Sequence, residues 1–101
     1  MGPVDPRMAS TRRQQISEAL LDGPLTALEI AARFQAPVKT ILADLEHVRR
    51  SLGKRGRFVV EPAECLSCSF VFEERARLGT PSRCPRCRSE HIRDPLFSIR
   101  A

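Results

Sequence analysis

Two Cys-x-x-Cys pairs constrain this chain more than any other feature. They are Cys65-Leu66-Ser67-Cys68 and Cys84-Pro85-Arg86-Cys87, they stand fifteen residues apart, and they contain all four cysteines of the 101-residue sequence. Two residues between paired cysteines allow both sulfurs to reach one ion at about 2.3 Å, and an insert of hairpin length brings two such pairs together. The spacing therefore predicts a closed, four-thiolate zinc site.

Other uses of these cysteines fit the sequence less well. A thioredoxin-like dithiol needs one Cys-x-x-Cys at the start of a helix in a βαβ setting, which is missing here. Two disulfides would be unusual in a reducing cytosol. Iron uses the same four ligands, so it stays open as a substitute metal, although rubredoxin-type knuckles usually have glycine where this chain has Ser69 and Arg88.

The predicted role of the metal is structural. Four cysteine ligands leave no position open for water, which a catalytic zinc needs. Residues 65–101 are too few to bury enough surface to fold unaided, so the metal would supply the missing stabilisation. We expect His91 to be a surface histidine, because the cysteines already satisfy the ion. Strands are predicted at residues 69–72 and 96–100.

The upstream half of the chain predicts helices. Thr11 and Gln14 form a capping box at the start of a helix over residues 12–22, and Thr26 and Glu29 repeat this signal for a second helix of roughly ten residues. The side chains expected to face inward are Ile16, Ala19 and Leu20 in the first helix and Leu28, Ala31 and Ala32 in the second, with Ile30 and Phe34 widening the apolar surface.

A third helix is predicted over residues 38–52, after a tight turn that ends at Pro37. Its apolar stripe consists of Ile41, Leu45, Val48 and Leu52. Two helices joined by a tight turn match the helix-turn-helix arrangement, and they also fit other small helical bundles. The basic segment RRSLGKRGR and the short β-branched run RFVVE follow, which together indicate a turn and a strand of the kind found in a wing.

These segments carry a family resemblance. Residues 10–62 resemble the winged-helix transcription regulators, and VKTILADLEHVRR looks like the third helix of that superfamily. The segments CLSCSFVFEE and TPSRCPRCRSEHIRDPLFSI resemble the ribbon of predicted transcriptional regulators in which a winged helix is fused to a rubredoxin-like zinc ribbon. The resemblance implies a role in transcription and metal ligands at Cys65, Cys68, Cys84 and Cys87.

The predicted fold is α+β, with an N-terminal winged helix-turn-helix followed by a small zinc ribbon. Its parts are a flexible arm at residues 1–9, the winged helix-turn-helix domain at residues 10–62 and the four-cysteine zinc ribbon at residues 63–101. The chain lacks an apolar run of membrane-spanning length and a signal-peptide h-region, so we expect a cytoplasmic protein with no membrane partner. It also lacks nucleophile motifs and glycine-rich phosphate loops, so we do not expect an enzyme.

The charge of the chain favours a nucleic-acid partner. The formal net charge is +5 and the pI is near 9.7. We expect double-stranded DNA to contact the third helix and the basic turn, through Lys39, Thr40, His47, Arg50, Lys54, Arg55 and Arg57. The predicted function is a DNA-binding transcriptional regulator. The alternative is an adaptor that docks on a protein of the transcription machinery through its ribbon, and a homodimer is compatible with either function.

Overall fold

Three helices precede four short strands in the part of the chain that the computed structural model describes, residues 11–73 and 77–101. The predicted arm at residues 1–9 lies outside the described residues. The elements are α1 (Arg12–Asp22), α2 (Ala27–Phe34), α3 (Val38–Leu52), a 3-10 turn (Gly53–Arg55), β1 (Arg57–Glu61), β2 (Glu64–Cys65), β3 (Ile92–Arg93) and β4 (Leu96–Arg100). None of the described helices is long and apolar enough to cross a membrane.

The first two helices begin at the predicted capping boxes. The Thr11 hydroxyl accepts from the Gln14 N–H, and the Gln14 side chain accepts from the Thr11 N–H, both at 3.1 Å. Thr26 and Glu29 make the same reciprocal pair at 3.1 and 2.9 Å. Each box satisfies two backbone N–H groups that a helix start otherwise leaves unpaired, and a cap of this type contributes about 1 kcal/mol. Local sequence alone therefore determines where α1 and α2 start.

The helices bury one apolar stripe each. The predicted stripe of α1 is buried, and so are Ile41, Leu45 and Val48 of α3, with Leu52 partly buried at the helix end. The prediction for α2 was wrong at Leu28 and Ala32, which are exposed. The buried face of α2 consists of Ile30 and Ala31, flanked by the partly buried Ala27 and Phe34. These four positions are spaced i, i+3, i+4 and i+7, so they lie on one face of the helix. Leu28 and Ala32 each follow a residue of this face by one position, which turns their side chains away from the core.

Strand β1 pairs with β4, the last strand of the chain. The register is antiparallel and runs from Arg57 opposite Arg100 to Glu61 opposite Leu96. Phe97 of β4 is fully buried in the same core as the helices, together with Ile99. In the sequence β4 follows the cysteines, but in space it packs against the helices. Residues 62–95 therefore lie between two strands that both belong to the helical core.

The described residues of the ribbon, 63–73 and 77–95, form little regular sheet. β2 and β3 pair over two residues each, and Val71 makes an isolated bridge with Glu64. The predicted strand at residues 96–100 is confirmed as β4, but the predicted strand at residues 69–72 is wrong. Ser69 has a φ of 65°, which lies in the left-handed region and breaks an extended run at its first residue.

Candidate metal centre and basic surface

The first Cys-x-x-Cys pair folds into a tight backbone turn. The Ser69 N–H donates to the Cys65 carbonyl at 2.9 Å, and the Cys65 N–H donates to the Phe70 carbonyl at 2.8 Å. The Leu66 N–H donates to the carbonyl of His91 at 2.8 Å, which ties the turn to the region of β3. This turn directs the side chains of Cys65 and Cys68 toward the same point.

The second pair repeats the turn. The Arg88 N–H donates to the Cys84 carbonyl at 2.8 Å, and the Cys84 N–H donates to the Ser89 carbonyl at 2.9 Å. The Arg86 N–H also donates to the Cys84 sulfur at 3.3 Å, the type of bond that stabilises a thiolate. The hydroxyl groups of Ser67 and Ser89 lie 2.8 Å apart and join the two turns. Each cysteine pair is thus a preformed knuckle.

The residue after each knuckle has an unusual backbone conformation. Ser69 has a φ of 65° and Arg88 a φ of 64°. These are the two positions where the sequence has a side chain in place of the usual glycine. A left-handed conformation costs an ordinary L-residue about 1–2 kcal/mol. Both knuckles therefore adopt the same turn although it strains the backbone at Ser69 and Arg88. This is expected if the positions required of the sulfurs determine the backbone conformation.

The four cysteine sulfurs form one cluster. Cys65 Sγ lies 3.5 Å from Cys87 Sγ, and Cys68 Sγ lies 3.6 Å from Cys84 Sγ. All four sulfurs lie within 4.8 Å of one another. A zinc ion with four Zn–S bonds of about 2.3 Å requires an S–S edge of about 3.8 Å, whereas a disulfide requires about 2 Å. The cluster matches a metal tetrahedron and excludes disulfides in this state.

The thiols of the cluster differ in the direction in which their pKa values are shifted. Burial raises the pKa of Cys65, but the N–H groups of Cys68 and Ser67 outweigh this effect and lower the pKa to about 6. The Phe70 N–H lowers the pKa of Cys68, but burial and the neighbouring thiols outweigh it and raise the pKa to about 12. The cluster cannot hold four thiolates without a compensating cation. Binding a divalent metal would therefore release protons from the cluster.

The geometry and the ligand chemistry fit one structural Zn²⁺ per chain. Cys65 and Cys84 are buried and Cys68 is half-buried, whereas Cys87 is exposed. Four sulfurs complete a tetrahedral shell, so no position remains for water or substrate. His91 is exposed and lies outside the sulfur cluster, in line with the expectation that it is not a ligand.

The residues predicted to contact DNA lie along α3, in the 3-10 turn that follows it and at the start of β1. Thr40 is half-buried, and the exposed members of the set are Lys39, His47, Arg50, Lys54, Arg55 and Arg57. Arg55 is partly engaged, since its guanidinium donates to the Ser51 carbonyl at 2.8 Å near the end of α3. We define the basic face as Lys39, Arg50, Lys54 and Arg57, which have no ion pair or side-chain hydrogen bond with the described residues.

Asp44 is a structural residue that the sequence analysis missed. It is 2% exposed on the inner side of α3, and its carboxylate accepts hydrogen bonds from the guanidinium groups of Arg12 and Arg13 of α1. Burial raises its pKa, but the two arginines outweigh that effect and hold the pKa below its usual range. A signal was present in the sequence, because Asp44 lies at i+3 from Ile41 and therefore on the buried face.

A second carboxylate on α3 is also neutralised. Glu46 accepts two hydrogen bonds from Arg49, at 2.8 and 2.6 Å, one turn farther along the same helix. Both Asp44 and Glu46 belong to α3, the helix expected to contact DNA. In the structure, one of these carboxylates is buried between arginines and the other is paired, so neither projects as an isolated negative charge.

Comparisons with known proteins match both parts of the chain. A family described as PF0610-like, N-terminal, matches residues 11–60, and one described as the PF0610 rubredoxin-like zinc beta-ribbon domain matches residues 62–101. The solution NMR structure of protein PF0610 from Pyrococcus furiosus is 32% identical and has a TM-score of 0.76. The match covers 100% of this chain and 99% of that one. No curated protein matches the chain significantly.

Proposed function

We propose that this chain, which belongs to the PF0610-like family with a rubredoxin-like zinc ribbon, is a DNA-binding transcriptional regulator. The proposal rests on the architecture around α3 and on the charge of its exposed side. It assigns no catalytic residue. It is compatible with a cytoplasmic location, where a reducing environment would keep the four thiols available for the metal.

The order of elements supports a winged helix-turn-helix. Helices α2 and α3 are joined by residues 35–37, and Gln35 turns the chain in a left-handed conformation with a φ of 52°. In the antiparallel pair, β1 packs beside α3 and β4 packs against α1, and the pair would correspond to the wing. The unusual feature of this wing is its connection, because residues 62–95 with the zinc site replace a short hairpin loop.

The single observation that carries the proposal is the open basic face. Its cations are exposed and have no acidic partner among the described residues, whereas Asp44 and Glu46, the two acids of α3, are neutralised by arginines. A solvent-exposed set of cations beside a helix and a strand pair is suited to the phosphates of a duplex. In this arrangement, Lys39, Thr40 and His47 would approach base edges, and Arg50, Lys54 and Arg57 would contact phosphates.

The test is duplex binding measured by fluorescence anisotropy at several salt concentrations. Each phosphate contact contributes about 0.9 to the slope of log K against log salt, so binding through the basic face must weaken steeply as salt rises. Arg50→Gln and Lys54→Gln should each lower affinity for all duplexes alike, whereas His47→Ala should alter preference among sequences. Absence of salt-sensitive binding to any duplex would contradict the proposal.

A protein-docking function is the second candidate, and one observation favours it. Leu66, within the first knuckle, is 64% exposed although it is a large apolar residue. Such a side chain on a rigid zinc knuckle could contact a protein of the transcription machinery. Binding to a partner through Leu66 would be insensitive to salt and weakened by Leu66→Ser, with duplex binding unchanged. Size-exclusion chromatography would show whether a second copy of the chain is that partner.

A further inference from the structure

Arg57 and Arg100 are direct neighbours across the two strands that close the helical core. They are Cα partners at one end of the β1–β4 pair, and both are exposed. The adjacent pair, Phe58 and Ile99, belongs to the core, so alternation places both arginines on the outer face of the sheet. Cα atoms paired in this way are about 4.5–5.5 Å apart, so both guanidinium groups can reach one point.

This juxtaposition is unfavourable in the isolated protein. Like charges directly opposite each other on an antiparallel pair destabilise it. The remaining outer-face residues offer no relief near the arginines, since Val59 lies opposite Ser98, and Glu61, the acid of these two strands, lies at the far end. Neither arginine forms an ion pair with the described residues. A bound anion would remove the repulsion.

We propose that Arg57 and Arg100 together bind a single phosphate of the nucleic-acid backbone. Two planar guanidinium forks within reach of one site can match the geometry of a phosphate group, which accepts bidentate hydrogen bonds. The inference rests on the proposed DNA-binding function and adds to it a residue from the opposite end of the chain. Arg100 reaches the site only because β4 returns from the zinc ribbon to pair with β1.

At this end of the sheet the backbone at Gly56 lies close to the backbone at Arg100. A Cβ built on Gly56 would lie 3.1 Å from the carbonyl oxygen of Arg100, closer than most real contacts of this type. Gly56 therefore allows the turn before β1 to approach the end of β4. The basic turn that contains Lys54 and Arg55 thus leads directly into the paired strands, and Arg57 is itself a member of the basic face.

The first experiment compares duplex binding of Arg57→Gln, Arg100→Gln and the double variant by fluorescence anisotropy. If the two arginines share one phosphate, the slope of log K against log salt should be smaller in magnitude for the double variant by about 0.9, the contribution of one phosphate. Two separate phosphates would reduce the slope by twice that amount. Each single variant should bind every duplex more weakly than the parent. Arg33→Gln, which removes an exposed arginine from α2, is the matched control and should bind as the parent does. An Arg100→Gln variant with unchanged affinity would overturn the inference.

The second experiment does not depend on duplex binding. Inorganic phosphate is exchanged for chloride at constant ionic strength, and the melting temperature is measured for the parent and the double variant. Phosphate should raise the melting temperature of the parent more than that of the double variant, because binding to the folded state stabilises it. An equal shift would overturn the phosphate site. If phosphate raises the melting temperature of the parent more than that of the double variant but the parent binds no duplex, the phosphate site stands and the proposed DNA-binding function is contradicted.

Discussion

Leu25 and Phe97 exchange both backbone hydrogen bonds between the α1–α2 connection and β4. The Leu25 N–H donates to the Phe97 carbonyl at 2.9 Å, and the Phe97 N–H donates to the Leu25 carbonyl at 2.8 Å. The segment between α1 and α2 thus pairs with β4, which pairs on its other side with β1. The zinc ribbon is consequently anchored to the helical core at both of its ends.

This anchoring predicts how the protein responds to loss of the metal. With a chelator present, residues 62–95 should lose protection against hydrogen exchange, while β4 should keep protection similar to that of α3. The physical reason is that Phe97 and Ile99 are buried among helical residues and do not depend on the sulfur cluster. Hydrogen exchange followed by NMR on the metal-free protein makes the measurement. Exchange of β4 together with the ribbon would contradict it.

Metal content gives a second prediction. Purified protein should contain one zinc per chain by elemental mass spectrometry, and Cys84→Ser should lose most of it, because Cys84 is a buried ligand with two neighbouring N–H donors directed by the knuckle. Ser82→Ala, which changes a nearby exposed serine, should retain the metal. Metal near zero in the parent, with four freely titratable thiols, would rule out the site.

The strained knuckle positions give a third prediction. Ser69→Gly and Arg88→Gly should each stabilise the zinc-bound protein by up to about 1 kcal/mol, because glycine adopts positive φ without the steric cost but loses more entropy on folding. Ser82→Gly, at a position without positive φ, should instead be neutral or destabilising. Chemical denaturation at fixed zinc concentration measures the difference. Destabilisation by both knuckle substitutions would show that the side chains matter more than the backbone.

Asp44 gives a fourth prediction, which concerns pH. Because its pKa is lowered in the folded state, its contribution to stability is present above the unfolded pKa, about 3.9, and is lost as pH falls through the folded value. Asp44→Asn should therefore destabilise the protein at neutral pH, by about 1–3 kcal/mol, and the difference from the parent should shrink in acid.

The measurement is thermal unfolding between neutral and acidic pH. Asp22→Asn is the control, since Asp22 is exposed at the end of α1 and has no ion pair with the described residues. Because acid also releases the metal, the parent and the variants should be compared in the metal-free form at every pH. A pH dependence identical in parent and Asp44→Asn would contradict the assigned role of this carboxylate.

The amino-acid sequence by itself determined the features that depend on neighbours along the chain. Reciprocal capping by Thr11 and Gln14 and by Thr26 and Glu29 requires only three-residue spacing, so the starts of α1 and α2 were predictable. The bounds of α3 followed from its apolar period and the flanking Pro37 and Gly53. The metal ligands were predictable because knuckle geometry is encoded by two-residue spacing and because four sulfurs suffice for one ion.

Tertiary structure alone decided which distant residues meet. The pairing of Arg57 with Arg100, the burial of Phe97 among helices and the contact of Asp44 with Arg12 and Arg13 join segments more than thirty residues apart in sequence. Strand register and interhelical contacts depend on the packing of the whole core, which no local pattern specifies. Arg100 therefore lies beside Arg57, and can share the proposed phosphate with it, only because the chain returns from the ribbon to the helical core.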